Sequence, residues 1–256
     1  MGLCEAYNHG AGKARYELLC FAHEDILIHT EQWGRKVISI FNEHHELGLL
    51  GVAGSSYKPT IPSGWSFPTA DAATMFMNFV EGTGGTPERR VAYNNPGNSA
   101  LPGVVCVDGF WFCTRRAIAR EIRFDEALFK RFHCYDVDYS LAVYQKYKVA
   151  ITFDILIEHF SGGSFNAEWA QETLKLHRKW KKYLPVNGAA LDAPTQKSQE
   201  MGAFYFFLPR FLASKLPVRT FLAALWTRKI VLITGWKTFV NLHLRLIRKM
   251  TGTPGR

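Results

Sequence analysis

The sequence predicts an α/β fold in which short buried strands alternate with amphipathic helices. Apolar runs at residues 18–22 and 49–53 have the length and composition that are typical of buried strands. Between them, the apolar residues from Val37 to Phe41 recur at helical spacing behind a potential cap at Thr30. The chain has 256 residues, 47% of them hydrophobic, so it can bury a core of its own.

The remaining elements continue the alternation of helix and strand. The pattern predicts helices at 8–15, 115–122, 136–147 and 166–183, and strands at 104–113 and 149–157. Residues 54–98 are rich in Gly, Pro, Ser and Thr, and we interpret them as long loops over a site. The glycines from Gly82 to Gly85 do not form a phosphate loop, because the lysine and hydroxyl residue of that motif are missing.

The charge is unevenly distributed and suggests three segments. From Met201 onward the chain contains ten Lys or Arg and no Asp or Glu, whereas the rest contains 21 basic and 22 acidic residues. We therefore predict a catalytic domain at 1–185, a linker at 186–202, and a basic, apolar helical tail at 203–256. Such an asymmetry points to an anionic partner.

The tail has the pattern of an interfacial helix. Residues 236–250 place basic and polar side chains on one face and apolar side chains on the other: Lys237, Asn241, Arg245 and Arg248 against Phe239, Val240, Leu242, Leu246, Ile247 and Met250. Prolines and charges interrupt the earlier apolar stretches before they reach the roughly 20 residues that span a bilayer. We expect the tail to lie on an anionic membrane surface, with a helical cap or dimer contact as the alternative.

The cysteines and the amino terminus suggest a compartment. The five cysteines include no Cys-x-x-Cys pair, which argues against a disulfide framework or a cysteine zinc cluster. No charged leader followed by a long apolar region opens the sequence. We therefore expect a cytoplasmic protein, peripheral at the inner face of the membrane.

Titratable residues collect where predicted elements begin or end. His23-Glu24-Asp25 follows a strand, Tyr135-Asp136-Val137-Asp138 opens a helix, and His159 ends a strand. Carboxylates and imidazoles suit a divalent metal, and a carboxylate can also act as a general base. The alternatives are acids that favour a helix dipole and a structural histidine.

Six blocks of sequence resemble family 2 glycosyltransferases, in particular the glycosyltransferase-like branch. In order, they are Asn8-x-Gly10-x-x-x-Ala14, His23-Glu24-Asp25, Val107-Asp108-Gly109-Phe110, Phe124-Asp125-Glu126, Tyr135 to Leu141, and Glu158-His159-Phe160-Ser161. The resemblance covers roughly residues 5–183. It implies a GT-A fold, a Rossmann-like sandwich in which a sugar nucleotide lies across the carboxyl ends of the strands.

The resemblance also implies roles for individual residues. Asp25 and His159 would hold Mn²⁺ or Mg²⁺ at the donor diphosphate, and Asp136 would be the base. The resemblance further implies that Asn8 and Glu24, together with Asp25, bind the donor. The acceptor would be bound by Asp108, Gly109, Trp111 and Asp138. Trp111 would stack on a sugar, although a core position is the alternative for this tryptophan.

The chain departs from the family pattern at three places. His23 stands where the family has the first Asp of Asp-x-Asp, and Tyr135 stands where it has the Glu of Glu-Asp. The block that begins at Asn8 lies within ten residues of Met1, so we expect the strands that bind the nucleotide base to be missing.

Three functions are compatible with these features. The favoured one is an inverting glycosyltransferase that moves a sugar from a nucleotide-sugar donor to a polysaccharide or lipid-linked glycan. The alternatives are an inactive, membrane-associated glycosyltransferase-like binding protein and a metal-dependent hydrolase built on His23, Asp25 and His159. Nucleic-acid binding is disfavoured, because the basic residues alternate with an apolar face instead of lining an aromatic groove.

Overall fold

The structure is a computed structural model that describes residues 1–82 and 89–251, with side chains described as far as 250. It contains two compact units. Unit 1 comprises Met1–Tyr57 and Ala72–Gly163, and unit 2 comprises Lys58–Asp71 and the chain from Ser164 onward.

Unit 1 contains helices α1 to α4 and most of the strands. In chain order they are α1 Leu3–Lys13, β1 Leu18–Ala22, β2 Ile26–Ile28, α2 Trp33–Glu43, β3 Leu47–Gly51, β4 Ala53–Ser55, β5 Tyr57–Lys58 (which reaches into unit 2), β6 Met75–Gly82, β7 Arg89–Asn94, β8 Gly103–Val104, β9 Cys106–Val107, β10 Trp111–Arg115, α3 Arg116–Glu121, α4 Tyr135–Tyr144, β11 Lys148–Ile151 and β12 Ile157–His159.

Two sheets organise unit 1. The first has the order β1-β10-β3-β11-β8, with only β3 and β11 parallel among these neighbours. Its strand β3 is buried along its whole length, as expected for the continuous apolar run of a central strand. The second sheet has the order β2-β12-β6-β4-β9, and β7 pairs with β6. The predicted α/β architecture is confirmed.

Aromatic side chains fill the interior of unit 1. Phe124 stacks on Tyr139 of α4 with ring centroids 4.2 Å apart, and Phe112 of β10 lies 6.1 Å from Tyr139. Trp111, on the same strand, is fully buried and meets Trp33 edge to face. Burial of rings of this size supplies much of the stabilisation of such a core.

Residues 54–98 are not the long loops that we predicted. Residues 75–82 form β6, which pairs antiparallel with β7 from Met77 opposite Asn94 to Gly82 opposite Arg89. The apolar residues at the start of β6 are a strand signal, which the flanking Gly- and Pro-rich residues obscured. Residues 83–88 lie outside the described residues, and they include most of the glycine stretch 82–85.

Unit 2 is mainly helical. Its elements are α5 Ala167–Trp180, β13 Val186–Asn187, α6 Ala193–Ala213, α7 Val218–Leu225, α8 Arg228–Thr234 and α9 Trp236–Thr251. Phenylalanines of α6 form its core together with Phe221, Phe239, Leu242 and Leu246. The C-terminal helical segment is therefore present as predicted, but three apolar residues of α9 pack inside the unit.

The compact units do not coincide with the predicted segments 1–185, 186–202 and 203–256. Helix α6 begins inside the predicted linker, because Asp192 caps it by accepting a hydrogen bond from Thr195 N at 2.9 Å and because Pro194 lies in its first turn. The helix also continues through Pro209.

Within the described residues, no single helix is both long enough and apolar enough to cross a membrane. The pair formed by α8 and α9 reaches that length and composition only when the two are taken together, and they are bent by 112°.

Candidate active site

One turn and one strand end bring His23, Asp25 and His159 together in unit 1. His23 and Asp25 lie in the turn between β1 and β2, and His159 ends β12. Strand β12 pairs antiparallel with β2 so that His159 lies opposite Ile26. This register, extended by a hydrogen bond from Phe160 N to Asp25 O at 3.0 Å, fixes the histidine beside the carboxylate.

The three side chains have the geometry of a metal site. One potential ligand atom from each residue lies within 4.8 Å of the others. Asp25 Oδ1 is 3.5 Å from His159 Nε2 and 3.9 Å from His23 Nδ1. The three residues are partly accessible, so an ion can reach them.

One oxygen of Asp25 lacks a hydrogen-bond partner. Asp25 Oδ1 is buried and accepts no hydrogen bond in the part of the chain that the structure describes. A buried carboxylate oxygen without a partner is costly, and a cation between it and the two imidazoles would remove that cost. Two nitrogens and one carboxylate oxygen are donors that Mn²⁺ accepts and that leave open positions for phosphate oxygens and water. The residues present therefore fit a divalent metal.

Tyr135 orients His23. Its hydroxyl lies 2.7 Å from His23 Nε2, while His23 Nδ1 faces Asp25. If Nδ1 is the ligand atom, the ring proton resides on Nε2 and is donated to the tyrosine oxygen. Hydrogen bonds of this kind fix the ring and tautomer of a ligating histidine. The two residues that depart from the family pattern, His23 and Tyr135, thus contact each other directly.

The protonation states also suit metal binding. Burial lowers the pKa of His23, partly offset by the negative charge of Asp108, so the ring is neutral and can ligate. Burial alone would raise the pKa of Asp25, but a hydrogen bond from Ser161 and the nearby His159 lower it overall. Asp25 therefore carries its charge at neutral pH.

Asp136 lies in the first turn of α4, where its surroundings shift its pKa. Burial, and then the negative charge of Asp108, raise the pKa of Asp136 to about 7. The residue is still partly accessible. Gly109 packs directly against this turn, since a side chain there would overlap the Tyr135 hydroxyl and come within 3.0 Å of the Asp136 Cβ. A carboxylate with a pKa near neutrality is suited to act as a general base.

Comparison with known proteins now decides the family. A family model described as a glycosyltransferase-like family matches residues 1–183. The chain belongs to this glycosyltransferase-like family. The predicted relationship is confirmed, together with the α/β fold.

Comparisons with curated proteins and with solved structures give less information about this chain. A comparison with curated proteins finds no match. Among solved structures, the chain is similar to the crystal structure of GalNAc-T7 with UDP, GalNAc and Mn²⁺, with a TM-score of 0.49 and 13% identity. The similarity covers 100% of this chain and 45% of that one, so the chain spans less than half the length of that protein.

Several predicted site residues of this glycosyltransferase-like chain lie around the cluster. Asp108 closes a turn by accepting a hydrogen bond from Phe110 N at 3.0 Å, and its charge acts on both His23 and Asp136. Phe110 in turn stacks on His159 with centroids 4.9 Å apart. Glu24 is exposed in the same turn as Asp25. The roles predicted for Asp108, Gly109 and Glu24 stay predictions.

Three other predicted residues have positions that argue against ligand contact. Asn8 ties α1 to residues 124–126, since its Nδ2 donates to Phe124 O at 2.9 Å and to Glu126 Oε2 at 2.7 Å. Trp111 is fully buried, so the predicted stacking on a sugar is wrong and the core alternative is correct. Asp138 is also buried, because it faces the interior side of α4, and a direct contact with an acceptor is not supported.

The sequence analysis assigns no site role to Tyr135 or Ser161, and it makes His23 a metal ligand only in the hydrolase alternative. In the structure, His23 is the third member of the cluster. Ser161 Oγ lies 3.2 Å from His159 Nε2 and also influences Asp25. The sequence signal for this contact is that His23 and Tyr135 both depart from the family pattern. Two such departures can compensate each other when the residues are neighbours in one site.

Proposed function

We propose that this protein is an inverting, metal-dependent glycosyltransferase that uses a nucleotide-sugar donor. The observation that carries the proposal is the Asp25 oxygen that accepts no hydrogen bond from the described residues and lies between two histidines. The same unit contains a carboxylate, Asp136, whose pKa is raised to about 7. The membership of the glycosyltransferase-like family supplies the class of reaction.

The metal would be held by Asp25, His159 and His23. Mn²⁺ or Mg²⁺ bound there would neutralise the negative charge that develops on the departing diphosphate. Tyr135 would keep His23 in the ligating orientation through its bond to Nε2. Glu24, exposed in the same turn, would assist on the donor side.

Asp136 would remove the proton from the acceptor hydroxyl. As that oxygen forms its bond to the anomeric carbon, the bond from this carbon to the diphosphate oxygen breaks, and the electron pair leaves with the diphosphate. A single displacement of this kind inverts the anomeric configuration and requires one base. Asp108 and Gly109 flank Asp136 and would border the acceptor, which we propose to be a polysaccharide or a lipid-linked glycan.

Calorimetric titration with UDP and with GDP, each with and without Mn²⁺, tests the proposal. We expect one of the two nucleotides to bind only when Mn²⁺ is present. Asp25→Asn should abolish this binding, whereas Asp154→Asn, at an exposed position of the same unit, should leave it unchanged.

Two outcomes would overturn the proposal. If a folded wild-type protein binds neither nucleotide, the alternative of an inactive glycosyltransferase-like binding protein is favoured. If nucleotide binds equally well without metal, the assignment of His23, Asp25 and His159 is wrong.

A further inference from the structure

Helices α8 and α9, and Trp226 at the end of α7, expose large apolar side chains. Trp226, Leu232 and Trp236 are 68%, 70% and 65% exposed. Soluble proteins rarely leave several such residues together on one surface without a function.

The two tryptophans belong to one aromatic cluster. The ring centroid of Trp226 is 5.8 Å from that of Phe239, and Trp236 stacks on the same ring at 5.6 Å. Phe239 itself is buried, and His243 packs against it at 4.3 Å. The cluster therefore holds both indoles in place on the outside of unit 2 without burying them.

Helical periodicity shows which further apolar side chains of the two helices face outward. In α8, Ile230 and Thr234 are buried, so Leu232, two residues from each, projects away from the core. In α9, Phe239, Leu242 and Leu246 are buried. Beside them runs an outer apolar stripe at spacings of three and four residues: Trp236, Val240, Leu244 and Ile247.

Exposed basic residues lie on the same helices as the exposed apolar side chains. Arg228, Lys237 and Lys249 are exposed on the same helices, and the chain from Met201 onward has no acidic residue at all. A second copy of this chain is disfavoured as the occupant, because an isologous contact would bring like charges together. An anionic lipid surface instead offers complementary charge to the basic residues and an apolar layer to the tryptophans and leucines.

We propose that α8 and α9, together with Trp226, form a docking surface for a membrane that contains anionic phospholipids. Trp226, Leu232 and Trp236 enter the interfacial layer, where tryptophan is favoured, and the exposed Arg and Lys of the same helices contact the lipid phosphates. The helices lie on the membrane and do not cross it. The inference stands on unit 2 alone and does not depend on the proposed glycosyl transfer.

Sedimentation of the full chain with vesicles tests this inference. We expect binding to vesicles of phosphatidylcholine with phosphatidylglycerol, weaker binding as salt is added, and little binding to phosphatidylcholine alone. Leu232→Asn should lower the partition coefficient several-fold, and Lys237→Glu should lower it about fivefold or more. Val91→Asn, which changes an equally exposed residue of unit 1, is the matched control and should have no effect.

Circular dichroism would show that each variant is folded, and both variants are at exposed positions. The inference is overturned if the wild-type protein does not bind anionic vesicles, if both variants bind as well as wild type, or if Val91→Asn has the same effect. A different outcome would assign this surface to a second copy of the chain: the wild-type protein does not bind vesicles but dimerises with increasing concentration, and Leu232→Asn abolishes the dimer.

Discussion

Each unit contains a cluster of histidine and charged side chains, and the two clusters differ in how their polar groups are satisfied. In unit 2, Lys58 Nζ donates to Ser63 O at 2.8 Å and to Ser63 Oγ at 2.7 Å, and lies 2.9 Å from His177 Nε2. All three residues are buried. In unit 1, Asp25 Oδ1 has no hydrogen-bond partner among the described residues, and the site remains accessible.

The comparison shows that a shifted pKa does not by itself identify a functional residue. Burial, and then the charge of Lys58, lower the pKa of His177 well below its usual range. Burial likewise lowers the pKa of His23. Both rings are neutral, but His177 donates from Nδ1 to Thr60 O at 2.9 Å and accepts from Lys58 at Nε2. Its ring nitrogens are thus occupied within the fold, whereas His23 directs Nδ1 toward an open carboxylate.

The largest effect should come from Asp136→Asn. This change removes the base while leaving the proposed metal ligands intact, so turnover should fall about 10²- to 10⁴-fold. Turnover is measured as the release of UDP or GDP from the corresponding sugar nucleotide, chosen as the nucleotide that binds in the presence of Mn²⁺. Calorimetry should show that nucleotide binding is unchanged. Full turnover by this variant would remove Asp136 from the mechanism.

Glu200→Ala should have the next largest effect, on stability alone. The Glu200 carboxylate accepts hydrogen bonds from Thr60 N and Ile61 N, each at 2.8 Å. Loss of both acceptors in a buried site should lower the free energy of unfolding by about 2–4 kcal/mol. Urea denaturation measures this change. The affinity of the folded protein for Mn²⁺ should stay the same. A stability equal to that of wild type would contradict the structural role given to Glu200.

Tyr135→Phe should weaken metal binding without removing it. The variant keeps the ring but loses the hydroxyl that holds His23 at 2.7 Å. Loss of a partner that orients a metal ligand lowers metal affinity by about 10- to 100-fold, which a Mn²⁺ titration can measure. Tyr147→Phe is the control, because it removes an exposed tyrosine–carboxylate bond to Glu121 elsewhere in unit 1. If the two variants bind Mn²⁺ equally, Tyr135 has no part in orienting His23.

The smallest effect should be a displacement of the pH profile. Asp136 must be deprotonated to act as a base, so turnover should rise with pH through about 7 and fall about tenfold for each pH unit below the pKa. The negative charge of Asp108 helps to raise the pKa of Asp136. Asp108→Asn should therefore move the acidic limb of the profile to lower pH. A limb that stays in place or moves to higher pH would show that another group titrates.

The sequence is sufficient for several of the elements and for part of the site. The strand at 18–22, the helix at the Asp136 block and the amphipathic α9 all follow from local periodicity. The β6–β7 hairpin and the cap at Asp192 were missed, because Gly- and Pro-rich surroundings and a short apolar run gave a weak local signal.

Contacts between segments that are distant in sequence cannot be predicted from local sequence patterns. The pairing of β2 with β12 brings His159 to Asp25, and the contact between His23 and Tyr135 joins residues 112 positions apart. Burial of Trp111 likewise depends on how β10 packs, since an aromatic residue beside an Asp-Gly turn fits a core and a binding surface equally well in sequence.

The most direct test of the metal site is an electron paramagnetic resonance titration of Mn²⁺ in the presence of UDP or GDP, whichever binds. We expect wild-type protein and Glu200→Gln to remove the signal of free Mn²⁺ with one site per chain, and Asp25→Asn to leave that signal in solution. Equal Mn²⁺ binding by wild type and Asp25→Asn would contradict the assignment of this cluster as the metal centre.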